Sequence, residues 1–314
     1  MSGAVCVVHL VRRGNPPASL ERFLDSYRGH DAGIEHRLIL LCKGFSTRGE
    51  LAPVLERLGG LAAEHIEVTD DGYDLTAYRR AAERLDGALA CFLNSNTVLL
   101  ADGWLERLVR AFTPKVGLVG ATGSWFSLHS NAGYLLRAGG AYDEIFPDRA
   151  WYRTQAARLP DDGMADLGEH SLLSRPPLRY LRTASMLGRA LVLFRPYPNA
   201  HVRTNVFVVR SETMVRLRFP PLRSKLRAWQ LESGRGGITE QIHAMGLEAL
   251  IAGRNGLAYR PPEWANSETL WQGDQSNLLV ADNHTERYRL ADLQLRTLLS
   301  KLAWGEQGRP APDR

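Results

Sequence analysis

Three short apolar runs and a mixed fourth strand-like piece, separated by segments of helical period, constrain this chain more than anything else in it. Residues 4–11 read A-V-C-V-V-H-L-V and residues 37–42 read R-L-I-L-L-C; His65 to Val68 and Leu89 to Leu93 continue the series. Between them Leu20, Phe23, Leu24 and Tyr27 recur at helical spacing. Residues 50–59 suit a short helix, and Ala77, Tyr78, Ala81, Ala82 and Leu85 share one face of another. Continuous apolar runs, as opposed to alternating ones, mark strands covered on both faces. The β-α-β-α-β-α-β alternation therefore predicts an α/β fold: a doubly wound, mostly parallel, Rossmann-like sheet.

The rest of the chain extends that plan. Val116 to Val119, Val202 to Val209 and Leu247 to Ile251 have strand character. Ile238 to Gly246 reads as a helix with Gly246 as its C-cap. Lys225 to Gly237 reads as a polar loop, 262–285 as an aromatic, polar loop, and 286–303 as one amphipathic C-terminal helix. Residues 125–195 mix aromatics, prolines and arginines with no second unit of the same kind, and read as a large insertion. The expected division is 1–125, an insertion over 126–200, a second half over 201–304, and a frayed tail over 305–314.

Composition narrows the function classes. The formal charge is +5, and Lys43, Lys115, Lys225 and Lys301 are the only lysines among 39 basic residues. Arginine suits bidentate phosphate contacts, though a general bias toward arginine is the better account of the composition. Cys6, Cys42 and Cys91 each sit inside an apolar run and have no metal-site spacing, which points to a reducing, cytoplasmic setting. No leader pattern is visible, and no apolar run reaches the roughly 18 residues of a spanning helix. No nucleic-acid motif is present. The basic, amphipathic piece 176–194 suits either a buried insertion helix or peripheral contact with an anionic membrane face.

The chemistry is expected where strands end. The run Leu89 to Leu93 passes straight into Asn94-Ser95-Asn96, and ligands of open α/β sheets sit at the carboxyl ends of strands. A plain strand-end turn is the other reading. Asp74, in Gly72-Tyr73-Asp74 ahead of a helix, suits an N-cap or a ligand contact.

The segment G-Y-D-L-T-A-Y-R-R-A-A, together with L-N-S-N-T followed by D-G-W-L-E-R-L, resembles the GT-A-fold nucleotide-sugar-dependent glycosyltransferases, family 2-like. The likeness covers about residues 4–125 well and 200–285 loosely. In that family the polar triplet is the D-x-D motif, which holds a metal and the sugar diphosphate. Here asparagine replaces both acids. The resemblance implies transfer of a sugar, of the hexosyl type, from a nucleotide diphosphate donor to a hydroxyl of a glycan, lipid-linked or small-molecule acceptor, as in polysaccharide biosynthesis. It implies an inverting mechanism with a carboxylate base, Glu232 first and Asp274 second. Donor contacts fall on His9, Arg12, Arg13, Lys43, Asp74, Tyr78, Asn94, Ser95 and Asn96. The sugar or acceptor pocket falls on His201, Arg203, Asn205 and Trp264. A weakly held Mn²⁺ or Mg²⁺ falls on Asn96 and His284, with Asp282 a neighbouring candidate. The missing acids leave a second outcome open, a catalytically inactive nucleotide-sugar-binding or scaffold protein. A nucleotidyltransferase would need a glycine-rich phosphate loop after the first strand, and Arg12-Arg13-Gly14-Asn15 is a poor one.

Overall fold

The computed structural model describes residues 4–130, 185, 188–222 and 224–310. Its centre is an eight-stranded sheet. The strands are β1 (Val5–Arg12), β2 (Arg37–Lys43), β3 (Glu64–Val68), β4 (Leu89–Leu93), β6 (Val116–Gly120), β9 (Val206–Arg210), β10 (Glu248–Ala252) and β11 (Ala258–Tyr259). The order across the sheet is β11-β10-β6-β9-β4-β1-β2-β3. The pairs β4–β1, β1–β2, β2–β3 and β6–β10 are parallel. β9 runs antiparallel to both β4 and β6, and β11 antiparallel to β10. Two small antiparallel pairs stand apart: β5 (Val98–Leu99) with β12 (Val280–Ala281), and β7 (Gly123–Ser124) with β8 (His201–Val202).

Helices cover both faces, as the apolar runs require. On one face α1 (Pro17–Gly29), α2 (Arg48–Glu56) and α4 (Trp104–Arg110) bring Phe23, Leu51 and Trp104 onto Val7, Leu40 and Cys91. On the other, α3 (Asp74–Ala82), α5 (Ser211–Arg216) and α7 (Ile238–Ala244) bring Tyr78, Met214 and Ile242 onto Val8, Phe92 and Phe207. Each fully buried Leu or Phe of this kind contributes about 1.5–3 kcal/mol.

Several segments differ from their sequence reading. Lys225 to Ser233 is a helix, α6, not a loop: Ser224 caps it by accepting from the Arg227 N–H, and Leu226, Ala228 and Leu231 are buried. The C-terminal helix is two, α8 (Asn283–Leu290) and α9 (Leu293–Trp304). They divide because Asp292 turns the chain and caps α9, accepting from the Leu295 N–H at 2.8 Å. Residues 305–310 make contacts with the fold: the Gly273 N–H donates to the Arg309 carbonyl at 2.7 Å, and the preceding Trp304 is fully buried; residues 311–314 of the expected tail lie outside the described residues. Gly246 follows α7 at φ +76°, the left-handed geometry expected of a glycine stop. Among the described residues no helix is long and apolar enough to cross a membrane. The piece 176–194 lies mostly outside the described residues.

Candidate functional site

The antiparallel setting of β9 builds the site. Parallel strands β1, β2, β4 and β6 end at one edge of the sheet. β9 begins there, because Val206 pairs with Leu93. The residues before β9, Arg203-Thr204-Asn205, therefore arrive beside Asn94-Ser95-Asn96. The Asn94 N–H donates to the Asn205 carbonyl at 2.8 Å. Asn94 Oδ1 accepts from the Asn96 N–H at 3.0 Å and from Thr97 Oγ1 at 3.1 Å, so the triplet is a side-chain-closed turn. Ser95 is buried, while Asn94 and Asn96 are half-exposed.

A second layer fixes the loop ahead of β9. Thr122, just after β6, donates through Oγ1 to Asn205 Oδ1 at 2.8 Å and accepts from Arg203 Nη1 at 3.3 Å. Arg203 Nη2 donates to Asp282 Oδ2 at 2.9 Å. Asp282 is the N-cap of α8; its Oδ1 accepts from the Thr285 N–H at 2.9 Å. Burial raises the Asp282 carboxyl, but Arg203, His284 and the Thr285 N–H outweigh it and hold the group below its ordinary range. The β5–β12 pair places Ala281 against Val98, so Asp282 lies across from Thr97 and beside the triplet. His284 follows it on the first turn of α8.

Glu232, near the end of α6, belongs to the same corner. Its Oε1 accepts from the Thr204 N–H at 2.8 Å and from Thr204 Oγ1 at 2.9 Å. Its Oε2 has no partner among the described residues. His201 is buried, with Nδ1 against the Asn199 carbonyl at 2.8 Å. Burial pulls its basicity down, partly opposed by that carbonyl and by Glu232.

The strand ends further along complete the edge. The Lys43 side chain is buried, with Nζ donating to the Gly72 carbonyl at 2.8 Å and lying 3.5 Å from Asp70. Burial lowers its basicity; Asp74 and Asp70 raise it and Arg12 lowers it further, which places all four groups in one neighbourhood. Asp74 is the first residue of α3, and the N-cap residue is Tyr73, which makes no side-chain capping bond. Asp74 is thus not used as a cap. Arg12 and Arg13 are exposed at the end of β1, with Arg13 3.2 Å from Glu50.

Four residues singled out from the sequence are placed otherwise. Trp264 is fully buried, its indole against Gly123 and its Nε1 donating to the Tyr259 carbonyl, so its faces are not offered to a sugar. Tyr78 is buried between Phe92 and Phe207 and is a core residue beneath the site, with Asp74 and Glu232 in its electrostatic surroundings. His9 is buried and stacked on Phe23, ring centroids 3.6 Å apart, and burial pushes its pKa down to about 3. A neutral imidazole there brings no charge to a phosphate. It lines a cavity of about 320 Å³ between β1, α1 and α2, shared with Arg12, Arg13 and Ser95. Asp274 is exposed and lines a different cleft, of about 360 Å³, with Asn266, Glu268 and Arg309. Thr122 and Thr204 were not legible as site residues, since a lone threonine in a strand-like stretch carries no signal.

The corner offers a divalent cation little. Among the described residues no three His, Cys, Asp or Glu side chains gather to hold a metal. Asn94 Oδ1 is taken by the turn and Asp282 by Arg203 and Thr285. Among the described residues Asn96 brings only a neutral amide oxygen to this corner, so a hard cation needs a ligand's oxygens as well.

No family model matches the chain, and no curated protein does. Solved structures do. Glucosyl-3-phosphoglycerate synthase from Mycobacterium tuberculosis, in complex with Mn²⁺, uridine diphosphate and phosphoglyceric acid, is 17% identical with a TM-score of 0.39, covering 80% of this chain and 68% of that one. The mannosyltransferase from Pyrobaculum calidifontis, in complex with GDP-Man and Mn²⁺, is 14% identical with a TM-score of 0.45, covering 96% of this chain and 74% of that one.

Proposed function

We propose that this chain is a glycosyltransferase that moves a sugar from a nucleotide diphosphate donor to a hydroxyl of a glycan, lipid-linked or small-molecule acceptor, with inversion. The observation that carries the reading is Glu232. One carboxylate oxygen is anchored twice by Thr204, and the other has no partner among the described residues, at the edge where the strands end. A general base needs that arrangement: fixed, yet with an oxygen free to meet the proton it takes.

In the proposed reaction Glu232 Oε2 takes the acceptor's hydroxyl proton. The acceptor oxygen forms a bond to the anomeric carbon while the bond from that carbon to the diphosphate oxygen breaks, and the nucleoside diphosphate leaves with the electron pair. Arg12 and Lys43 at the ends of β1 and β2, with Asp74, form the donor side together with Arg13, Asn94, Ser95 and Asn96. His201, Arg203 and Asn205 line the sugar side, where it adjoins the diphosphate. Asn96 and His284 would hold a divalent cation jointly with the diphosphate, and such a cation supplies charge neutralisation of the leaving group. Residues 1–125 serve the donor and 201–304 the base and acceptor; the acceptor role expected of 126–200 falls largely outside the described residues. The three buried, free thiols agree with a cytoplasmic setting.

Glu232→Gln is expected to keep nucleoside-diphosphate binding and to lose turnover by roughly 10²–10⁴-fold. Retained turnover would reject the base assignment. The asparagine triplet favours one other reading, a non-catalytic nucleotide-sugar binder. Slow hydrolysis of the donor without acceptor separates the two, since a scaffold performs none.

A further inference from the structure

We infer that Arg203, positioned by Asp282, is a group that meets the donor's diphosphate, so that this chain binds a nucleoside diphosphate even when no divalent cation is present. The inference rests on the donor reading above and concerns what carries positive charge at that site.

The first support is what the triplet lacks. A diphosphate at the end of β4 needs a countercharge, and Asn94, Ser95 and Asn96 hold no carboxylate with which to fix a metal. The second is where a fixed cation stands instead. Arg203 is connected to the triplet through Thr122 and Asn205, and its side chain is 13% exposed. Two of its N–H donors are engaged, one by Asp282 and one by Thr122; the others have no partner among the described residues. One hydrogen on each of Nη1 and Nη2 is engaged, which fixes the plane of the guanidinium, and its remaining N–H donors meet a phosphate with little ordering left to do.

The third is the rigidity of its holder. Asp282 is 1% exposed and tied twice into the start of α8: its Oδ1 accepts from the Thr285 N–H, and its own N–H donates to Thr285 Oγ1 at 2.8 Å. A carboxylate fixed this way does not follow the arginine about. The fourth is Asn205, whose Nδ2 is buried without an acceptor among the described residues. A buried, unpaired donor is costly, and an oxygen brought into this corner by a ligand would satisfy it.

A purely structural role is the competing explanation: the ion pair would staple the loop before β9 to α8 and do nothing else. Affinity measured without metal separates the two. Calorimetric titration of the full chain with UDP and with GDP, each in EDTA and in Mn²⁺, is the experiment. The wild type is expected to bind one of them in EDTA within about tenfold of its affinity in Mn²⁺. Arg203→Gln should weaken the EDTA binding by roughly 10- to 100-fold, a charge-assisted pair's worth. Arg203→Lys should recover part of the loss, and Asp282→Asn, which keeps the guanidinium but loosens it, should weaken binding by less than Arg203→Gln. Thermal unfolding of each variant checks that it folds, and the lysine and asparagine variants carry the test if the glutamine variant does not. Binding that vanishes in EDTA, or that all three variants retain at wild-type strength, overturns the role of Arg203 while leaving the donor reading intact. No binding of either diphosphate under either condition overturns both.

Discussion

Lowering the pH from 7 to 5 should destabilise this protein through His9 by about 2 kcal/mol. The side chain is buried against Phe23, its Nδ1 has no partner among the described residues, and its pKa is pushed down to about 3 from 6.5. In the unfolded chain the imidazole gains a proton below pH 6.5; in the folded chain it stays neutral until about pH 3. The unfolded state thus binds more protons throughout that window, so stability rises with pH across it and is lost as the pH falls. Each pH unit below 6.5 costs about 1.4 kcal/mol, so pH 5 costs roughly 2 kcal/mol and the loss approaches about 5 kcal/mol near pH 3. Buried His201 acts in the same direction, which makes the wild-type slope a composite. His9→Phe isolates the term, since the adjoining cavity of about 320 Å³ has room for the ring. Urea denaturation at pH 7 and pH 5 is the assay. The wild type should lose about 2 kcal/mol more than His9→Phe between the two conditions, and His9→Leu serves if the larger ring does not fit. Parallel losses in wild type and variant would refute the burial argument and reopen a charged role for His9.

Two further outcomes are expected. Asn96→Asp restores an acid to the triplet, and should strengthen the Mn²⁺ dependence of UDP or GDP binding in a thermal-shift titration by at least several-fold; an unchanged Mn²⁺ response would remove position 96 from any metal role. Gly123→Ala puts a Cβ 2.7 Å from Trp264 Cε3, in a core with no slack to absorb it, and should cost about 1–3 kcal/mol. An unchanged unfolding midpoint would mean that the indole does not rest where it is placed.

The parallel half of the sheet was legible because its signals are local. β1, β2 and β4 are short apolar runs, β3 is a mixed edge strand that only the alternation reveals, and the helices between carry their own period. β9 was legible as a strand but not as an antiparallel one, because V-F-V-V is buried on both faces and reads the same in either direction. That direction decides which residues meet the triplet, so Asn94–Asn96 could be picked out while the Thr204 and Thr122 contacts could not. α6 was misread because its one charged and polar face dominates the composition; the signal present was Ser224, a capping residue ahead of Leu226 and Leu231. Trp264 and Tyr78 show the reverse limit: an aromatic side chain is equally suited to a sugar platform and to a core, and only its neighbours decide. The single helix expected over 286–303 broke at Asp292 because a local cap outcompetes continuation of the turn before it.

The clasp formed by Gly123–Ser124 and His201–Val202 has a consequence for how such a chain can diversify. The two ends of the stretch 125–200 leave and rejoin the fold side by side, held by their own strand pair and by the Asn199 N–H on the Trp125 carbonyl at 3.1 Å. The closure entropy of whatever lies between grows only slowly with its length, and the sheet is not stretched by it. Sequence between Ser130 and Gly188 can therefore be exchanged without cost to the clasp, which sits directly beside His201 and Arg203, whereas the flanking Trp125, Ala190 and Phe194 are buried in the fold. Swapping that sequence between relatives should redirect what the site accepts while the strand ends, the triplet and Glu232 stay as they are.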